Sequence, residues 1–276
     1  MTDEHMSLPE PQNDWRQSIK DYDTGFVFAT SGEKYTALAL QAAHSVKEQH
    51  PDIRIDIFTD QALDASVFDK VHALSGSFFR PKFEAISRSR FERTVYLDAD
   101  LVVVADISDL FWILNKYDIA AAHVQGRNAS WATQTWRMDL PNAFPQINSG
   151  VMAIRKNERT QQLMHRVEAA IRRDHLKMDQ AAVRELLWLS DVSLYILPNE
   201  YNVRGVKSAG NVGGSKPAPR VLHDSKFHKR MQGNTPPLPE KIYGKLTLKR
   251  VRFGIKQDKQ LTKSPWKANW RNFFRA

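Results

Sequence analysis

No cysteine occurs among the 276 residues of this chain. Its absence excludes disulfides and thiolate metal sites and fits a reducing compartment. No run of about 18 uncharged apolar residues exists either, so no segment has the character of a membrane span. The opening Met1-Thr2-Asp3-Glu4-His5 is acidic and lacks the apolar core of a signal peptide. The expected location is the cytoplasm. Internal repeats and low-complexity tracts are missing as well. Acids are scarce in one place only: residues 241–276 carry 11 Lys and Arg against the single Asp258, whereas the remainder carries 29 against 30. The body is neutral and the tail is basic, so a polyanionic partner is expected at the C-terminal end.

What is present suits a globular enzyme. Apolar residues make up 42% and charged residues 26%, enough to build one large domain with appendages. The expected division is a polar arm over 1–22, a domain over 23–240 and a basic aromatic tail over 241–276. Gly25 to Thr30 has strand character, and Tyr35, Leu38, Ala39, Ala42 and Val46 recur at helical spacing up to His50-Pro51. Ile53, Ile55 and Ile57 alternate with polar residues as a second strand. Strand, helix and strand within so short a span form a βαβ unit, the building block of parallel sheets. Further strands are expected over Thr94–Asp98, Ile119–Val124, Ile147–Ile154 and Val192–Leu197. Helices are expected after Pro81, over Asp106–Leu114, around Leu163–Ile171 and over Asp179–Leu187. Gly126 to Gln146 is irregular and long enough for a functional loop or lid, and Gly205 to Pro219 has loop composition.

Thr94-Val95-Tyr96-Leu97-Asp98-Ala99-Asp100-Leu101-Val102-Val103-Val104 is the focus of the chain. Two aspartates interrupt an apolar run, and unpaired buried carboxylates are costly. At the carboxyl end of a strand, Asp-x-Asp suits a hard divalent cation that keeps open positions for phosphate. A strand ending in a capped turn is the other reading of the motif in isolation.

Three more patterns follow in order: Asn148-Ser149-Gly150, Asp179-Gln180, and His223 with Lys229 six residues on. With Asp98-Ala99-Asp100 and the upstream Lys82-Phe83, they resemble the retaining sugar-nucleotide glycosyltransferases of family 8, the group of glycogenin and bacterial lipopolysaccharide galactosyl- and glucosyltransferases. The resemblance runs from about Gly25 to Arg230. It implies a GT-A fold, a Rossmann-like, mainly parallel α/β sheet with helices on both faces, and a divalent metal, Mn2+ or Mg2+. It also implies a UDP-sugar donor and a saccharide or glycolipid acceptor. By resemblance Asp98, Asp100 and His223 hold the metal, and Asp98 and Ala99 meet the nucleotide. Lys229 pairs with the diphosphate, and Lys82 sits near sugar or diphosphate. Ala29 and Thr30 meet the base through their backbone, and Tyr35 stacks on it. Asn148, Asp179 and Gln180 line the donor sugar.

The chain departs from the family pattern after His223. Lys226 replaces a glycine, and Arg230-Met231 replaces Pro-Trp, so Lys226 is placed to share the phosphate contact. Other readings of these residues stay open in the sequence. Tyr35 fits a core position, Lys82 a helix surface, Asp179 a helix cap, and the Lys and His cluster a solvated turn.

Trp266, Trp270, Phe273 and Phe274 fall on one helical face, with Lys267, Arg271 and Arg275 on another. Such a helix over 263–276 is expected to lie on an anionic membrane, peripheral to its inner face; docking on the body is the alternative. Two rival functions remain. One is a haloacid-dehalogenase-type phosphatase built on Asp98 and Asp100, although its motif usually follows the first strand. The other is nucleic-acid binding through the tail, which the neutral body disfavours.

Overall fold

The structure is a computed structural model and describes residues 22–64, 66–76 and 79–261. Residues 1–21 of the expected arm and the expected membrane-binding stretch 263–276 lie outside the described residues.

The expected βαβ unit forms as β1 (Thr24–Thr30), α1 (Glu33–Gln49) and β2 (Ile55–Thr59). Gly32, at φ 82°, turns the chain between β1 and α1. The Asp60 carboxylate fixes that turn, accepting from Gly32 N at 2.7 Å and Ser31 Oγ at 2.6 Å. Then come β3 (Lys70–Ala73), α2 (Lys82–Arg88), β4 (Arg93–Leu97), β5 (Leu101–Val103), α3 (Asp109–Ile113), β6 (Ile119–His123) and β7 (Ile147–Arg155). The chain continues through α4 (Glu158–Arg173), α5 (Gln180–Trp188), β8 (Leu194–Leu197) and a 3-10 turn at Asn199–Asn202. It ends with β9 (Val203–Arg204), α6 (Val206–Ala209), β10 (Val221–His223), α7 (Lys226–Lys229), α8 (Pro239–Tyr243) and α9 (Lys245–Gln257).

Seven strands form one sheet in the order β3-β2-β1-β4-β7-β6-β8. Only β7 runs against its neighbours, β4 and β6; the other pairs are parallel. Side-chain alternation sends Phe26, Phe28, Val95 and Leu97 to one face, packed with α1 and α3. Val27, Ala29 and Tyr96 go to the other, packed with α2, α4 and α5. The sheet is thus covered on both faces, the mixed but mainly parallel α/β architecture expected.

Three features add to the sequence reading. The apolar run through Asp98 is two strands in two sheets, because β5 leaves the main sheet and pairs with β10. Gly205–Pro219 includes the short helix α6 as well as turns. The boundary expected at 240 falls inside α8. Ile242, Tyr243, Leu248, Val251 and Ile255 of α8 and α9 share a buried cluster with Val102, Val203 and Leu222, so the body's packing continues through α9.

The irregular stretch 126–146 is tethered. The Glu185 carboxylate accepts from the N–H groups of Arg137 (2.9 Å) and Met138 (3.1 Å) and from Trp136 N at 2.5 Å. Arg184 donates to the carbonyls of Leu140, Pro141 and Phe144. These bonds satisfy backbone groups that a loop would otherwise leave to water.

Candidate active site

Strands β1 and β4 are adjacent and parallel, and their carboxyl ends open into a cleft of about 490 Å³. Crevices outside strand ends are where open α/β sheets bind ligands. Ala29, Thr30, Tyr35, Lys82, Asp98, Ala99 and Asp100 all line it, joined by Arg80, Tyr96 and His228. The Thr30 hydroxyl is engaged with Thr36 Oγ1 at 2.9 Å. Tyr35 is 45% exposed, which excludes the core position its spacing allowed. Its ring centroid lies 6.1 Å from that of His228.

The switch of sheets after β4 explains how His223 reaches the aspartates. Antiparallel pairing of β5 with β10 sets His223 opposite Leu101, beside Asp100. His223 Nε2 lies 3.0 Å from Asp100 Oδ1 and 4.0 Å from Asp98 Oδ2. On the other side of the ring, Nδ1 is 2.9 Å from Asn202 Oδ1. An amide oxygen only accepts, so Nδ1 donates to it, leaving Nε2 turned to the aspartates. One ligand atom from each of Asp98, Asp100 and His223 falls within 4.8 Å of the others. Oxygen and imidazole donors at that spacing fit Mn2+ or Mg2+. Arg204 Nη1, 2.7 Å from His223 Nε2, supplies a positive partner, and His228 Nδ1 lies 3.4 Å from Asp100 Oδ2. Burial pushes the Asp100 carboxyl up, but the charge of His223 and the bonds from His223 and His228 outweigh it and hold it well below the carboxylate range.

Gly150 makes the close approach possible. A Cβ there would lie 2.4 Å from His223 Cε1 and 2.9 Å from Asp98 Oδ2. The same strand holds the motif in place, since Asp98 N donates to Gly150 O at 2.8 Å.

A second cluster adjoins the first. Lys82 is only 6% exposed. Its Nζ lies 3.1 Å from Asp98 Oδ1 and 3.7 Å from Asp179 Oδ2, and it donates to Ser149 Oγ at 3.0 Å. Ser149 Oγ in turn donates to Asp179 Oδ2 at 2.9 Å. Burial works against the Lys82 charge, but Asp98 and Asp179 outweigh it and raise the ammonium pKa above its ordinary value. Burial likewise raises Asp179, and Lys82, Arg80 and Ser149 overcome it, leaving the carboxyl below its ordinary value. Tyr96 OH donates to Asp98 Oδ1 at 3.0 Å, and burial lifts that phenol well above its ordinary pKa, so it stays a donor. Lys82 is therefore no helix-surface lysine. Asp179 sits at the start of α5 without capping it by a side-chain bond.

The remaining expected residues fall differently. Asn148 Oδ1 accepts from Gly150 N at 3.1 Å, and Gln180, the first residue of α5, is half-buried; neither lines the cleft. Lys229 is exposed and also lies outside the lining, whereas His228, one residue earlier, is inside it. Lys226 is half-buried, its Nζ 3.9 Å from Asp224 Oδ2, and also lies outside the lining. Sequence reading missed Arg80, Arg204 and His228. His228 was within the Lys and His cluster and was missed by one residue of register; Arg80 and Arg204 carried no motif.

A sheet of this order, with Asp-x-Asp after β4 at its cleft, defines a glycosyltransferase of the GT-A class. The family model for nucleotide-diphospho-sugar transferases matches residues 41–223, and the chain belongs to that family. Solved structures agree in fold. The galactosyltransferase LgtC, in complex with donor and acceptor sugar analogues, is 15% identical with a TM-score of 0.55 over 87% of this chain and 97% of its own. The glycosyltransferase GlyE of Streptococcus pneumoniae is 18% identical with a TM-score of 0.54 over 86% of this chain and 64% of its own. The bifunctional glycosyltransferase WbbM gives 13% and 0.54 over 84% and 50%. No curated protein matches in sequence. Family membership removes the phosphatase reading.

Proposed function

We propose that this glycosyltransferase is a metal-dependent, retaining hexosyltransferase of the family 8 type, moving a hexose from a UDP-sugar to a glycan or glycolipid acceptor at the cytoplasmic face of a membrane. The observation that carries the proposal is the meeting of two clusters at one cleft: Lys82, Asp98 and Asp100 line it, with His223 against Asp100 and with Ser149 and Asp179 against Lys82.

Asp98, Asp100 and His223 would hold Mn2+ or Mg2+. When bound, the metal supplies Lewis-acid neutralisation of the leaving diphosphate without proton transfer. Lys82 adds a fixed positive charge, and His228 takes the diphosphate contact that the resemblance gave to Lys229. Tyr35, Ala29, Thr30 and Ala99 bind the nucleotide end. Asp179 accepts from donor-sugar hydroxyls, with Asn148 and Gln180 at the same sugar.

Transfer with retention follows from same-face attack. The C1–O bond to the diphosphate breaks, the acceptor oxygen bonds to C1 on the same face, and its proton passes to the departing diphosphate. Asp179 is a poor nucleophile for the covalent alternative, because Lys82 and Ser149 already engage its carboxylate. A glycosyl adduct trapped on Asp179 would refute this route. The function is tested with a panel of nucleotide sugars and Mn2+, read by calorimetry and by nucleoside-diphosphate release. UDP-sugars are expected to bind and turn over; metal-independent transfer or preference for another nucleotide would overturn the reading.

A further inference from the structure

Helix α9 buries Leu248, Val251 and Ile255 against the body. Its opposite face presents Leu246, Lys249, Arg250, Phe253 and Lys256, all exposed and all within one helical stripe. Leu246 is 64% and Phe253 62% exposed, and no acid interrupts the stripe. A shallow depression beside it is lined by Val206, Lys207, Gly210, Asn211, Thr247 and Arg250. Two large apolar side chains seven residues apart, ringed by cations, add nothing to the fold when left in water.

We infer that the outer face of α9, with Lys207, is a docking surface for an anionic lipid bilayer, with Leu246 and Phe253 entering the acyl boundary and Lys249, Arg250 and Lys256 meeting headgroup phosphates. Charge decides between occupants. The chain beyond α9 carries Lys263, Lys267, Arg271 and Arg275 and no acid over 262–276, so folding it back over α9 sets cation against cation. A second copy meeting the first through this stripe has the same conflict. Anionic lipid accepts both the charges and the apolar pair. The tail, with Trp266, Trp270, Phe273 and Phe274, then extends the same chemistry beyond the helix.

Arg204, bonded to His223, lies three residues before Lys207 in the chain. The inference stands without any assignment of donor sugar or metal.

The absence of cysteine allows a direct test. Phe253→Cys in the full chain, labelled with an environment-sensitive dye, is expected to shift blue on phosphatidylglycerol-containing vesicles and not on phosphatidylcholine alone. In flotation assays, Leu246→Ser/Phe253→Ser and Lys249→Glu/Arg250→Glu full-length variants are each expected to bind anionic vesicles about tenfold less, with wild-type binding falling as salt rises. All four positions are exposed, and unchanged thermal unfolding verifies that the fold is kept. Equal vesicle binding by wild type and both variants, or an unshifted dye, overturns the inference. So does a dimer in lipid-free solution that the variants dissolve, or salt-sensitive binding to nucleic acid in place of vesicles.

Discussion

Each acidic side chain of the site is held by two neighbours. Asp98 is held by Tyr96 OH and Lys82 Nζ, Asp100 by His223 and His228, and Asp179 by Ser149 and Lys82. In the proposed function, Asp100→Ala removes a ligand without leaving a buried apolar void. It is expected to abolish Mn2+-dependent UDP binding in calorimetry while thermal unfolding stays near wild type. The neighbours His228 and Lys229 separate geometry from motif. His228→Ala is expected to weaken UDP binding in the presence of Mn2+ by about tenfold, the loss of one hydrogen bond. Lys229→Ala, outside the cleft, is expected to leave it within about twofold on the same energy scale. The opposite ranking would restore the lysine to the role its spacing suggested.

Strand β7 links the two clusters, since Ser149 bonds Lys82 and Asp179 while Gly150 admits His223 and Asp98. Its antiparallel pairing with β4 puts Val151 opposite Leu97 and so brings Asn148-Ser149-Gly150 level with Asp98. Gly150→Ala tests that element. The added methyl must displace an imidazole and a carboxylate, and overpacking of this kind costs about 1–3 kcal/mol. The variant is expected to lose Mn2+-dependent nucleotide binding, and its unfolding midpoint to fall, with equilibrium denaturation as the measurement. This tripeptide was legible as a motif; the need for glycine was legible only once β10 stood across from it.

Stability of the whole molecule rests partly on a charge far from the motifs. Asp118, fully buried beside β6, accepts from Arg155 Nη2 at 2.6 Å and Asn157 Nδ2 at 2.7 Å, and from Ser193 N at 3.0 Å and Oγ at 2.9 Å. It ties β6 to the end of β7, the start of α4 and the segment before β8. Burial alone would raise its pKa, but the Arg155 bond and those from Ser193 and Asn157 outweigh it and hold the carboxyl well below the carboxylate range. A depressed carboxyl stabilises the fold above its unfolded pKa of about 4, and that contribution is lost as pH falls through the folded value. Asp118→Asn is therefore expected to lower stability at pH 7 by about 2 kcal/mol, or about 5 °C in Tm. The gap from wild type should shrink progressively below about pH 4. A gap constant down to strong acid would show that packing, not charge, carries the effect.

The sequence by itself determined the elements and the motifs. Apolar periodicity marked β1, α1, β2, β4 and β7 because burial on a sheet or helix face imposes periods of two or 3.6. Asp98, Asp100, Lys82, Asn148, Asp179 and His223 stood out because their order and surroundings resemble those of family 8 enzymes. Tertiary structure decided what periodicity cannot encode. It split one apolar run between two sheets at Asp98-Ala99-Asp100, set His223 beside Asp100 through the β5–β10 register, and engaged Asp179 with Lys82 in place of a helix cap. It also brought Arg80, Arg204 and His228 to the site, and folded α8 and α9 into the body. Each of these depends on partners distant in the chain, and local sequence carries no record of which distant residue a strand will meet.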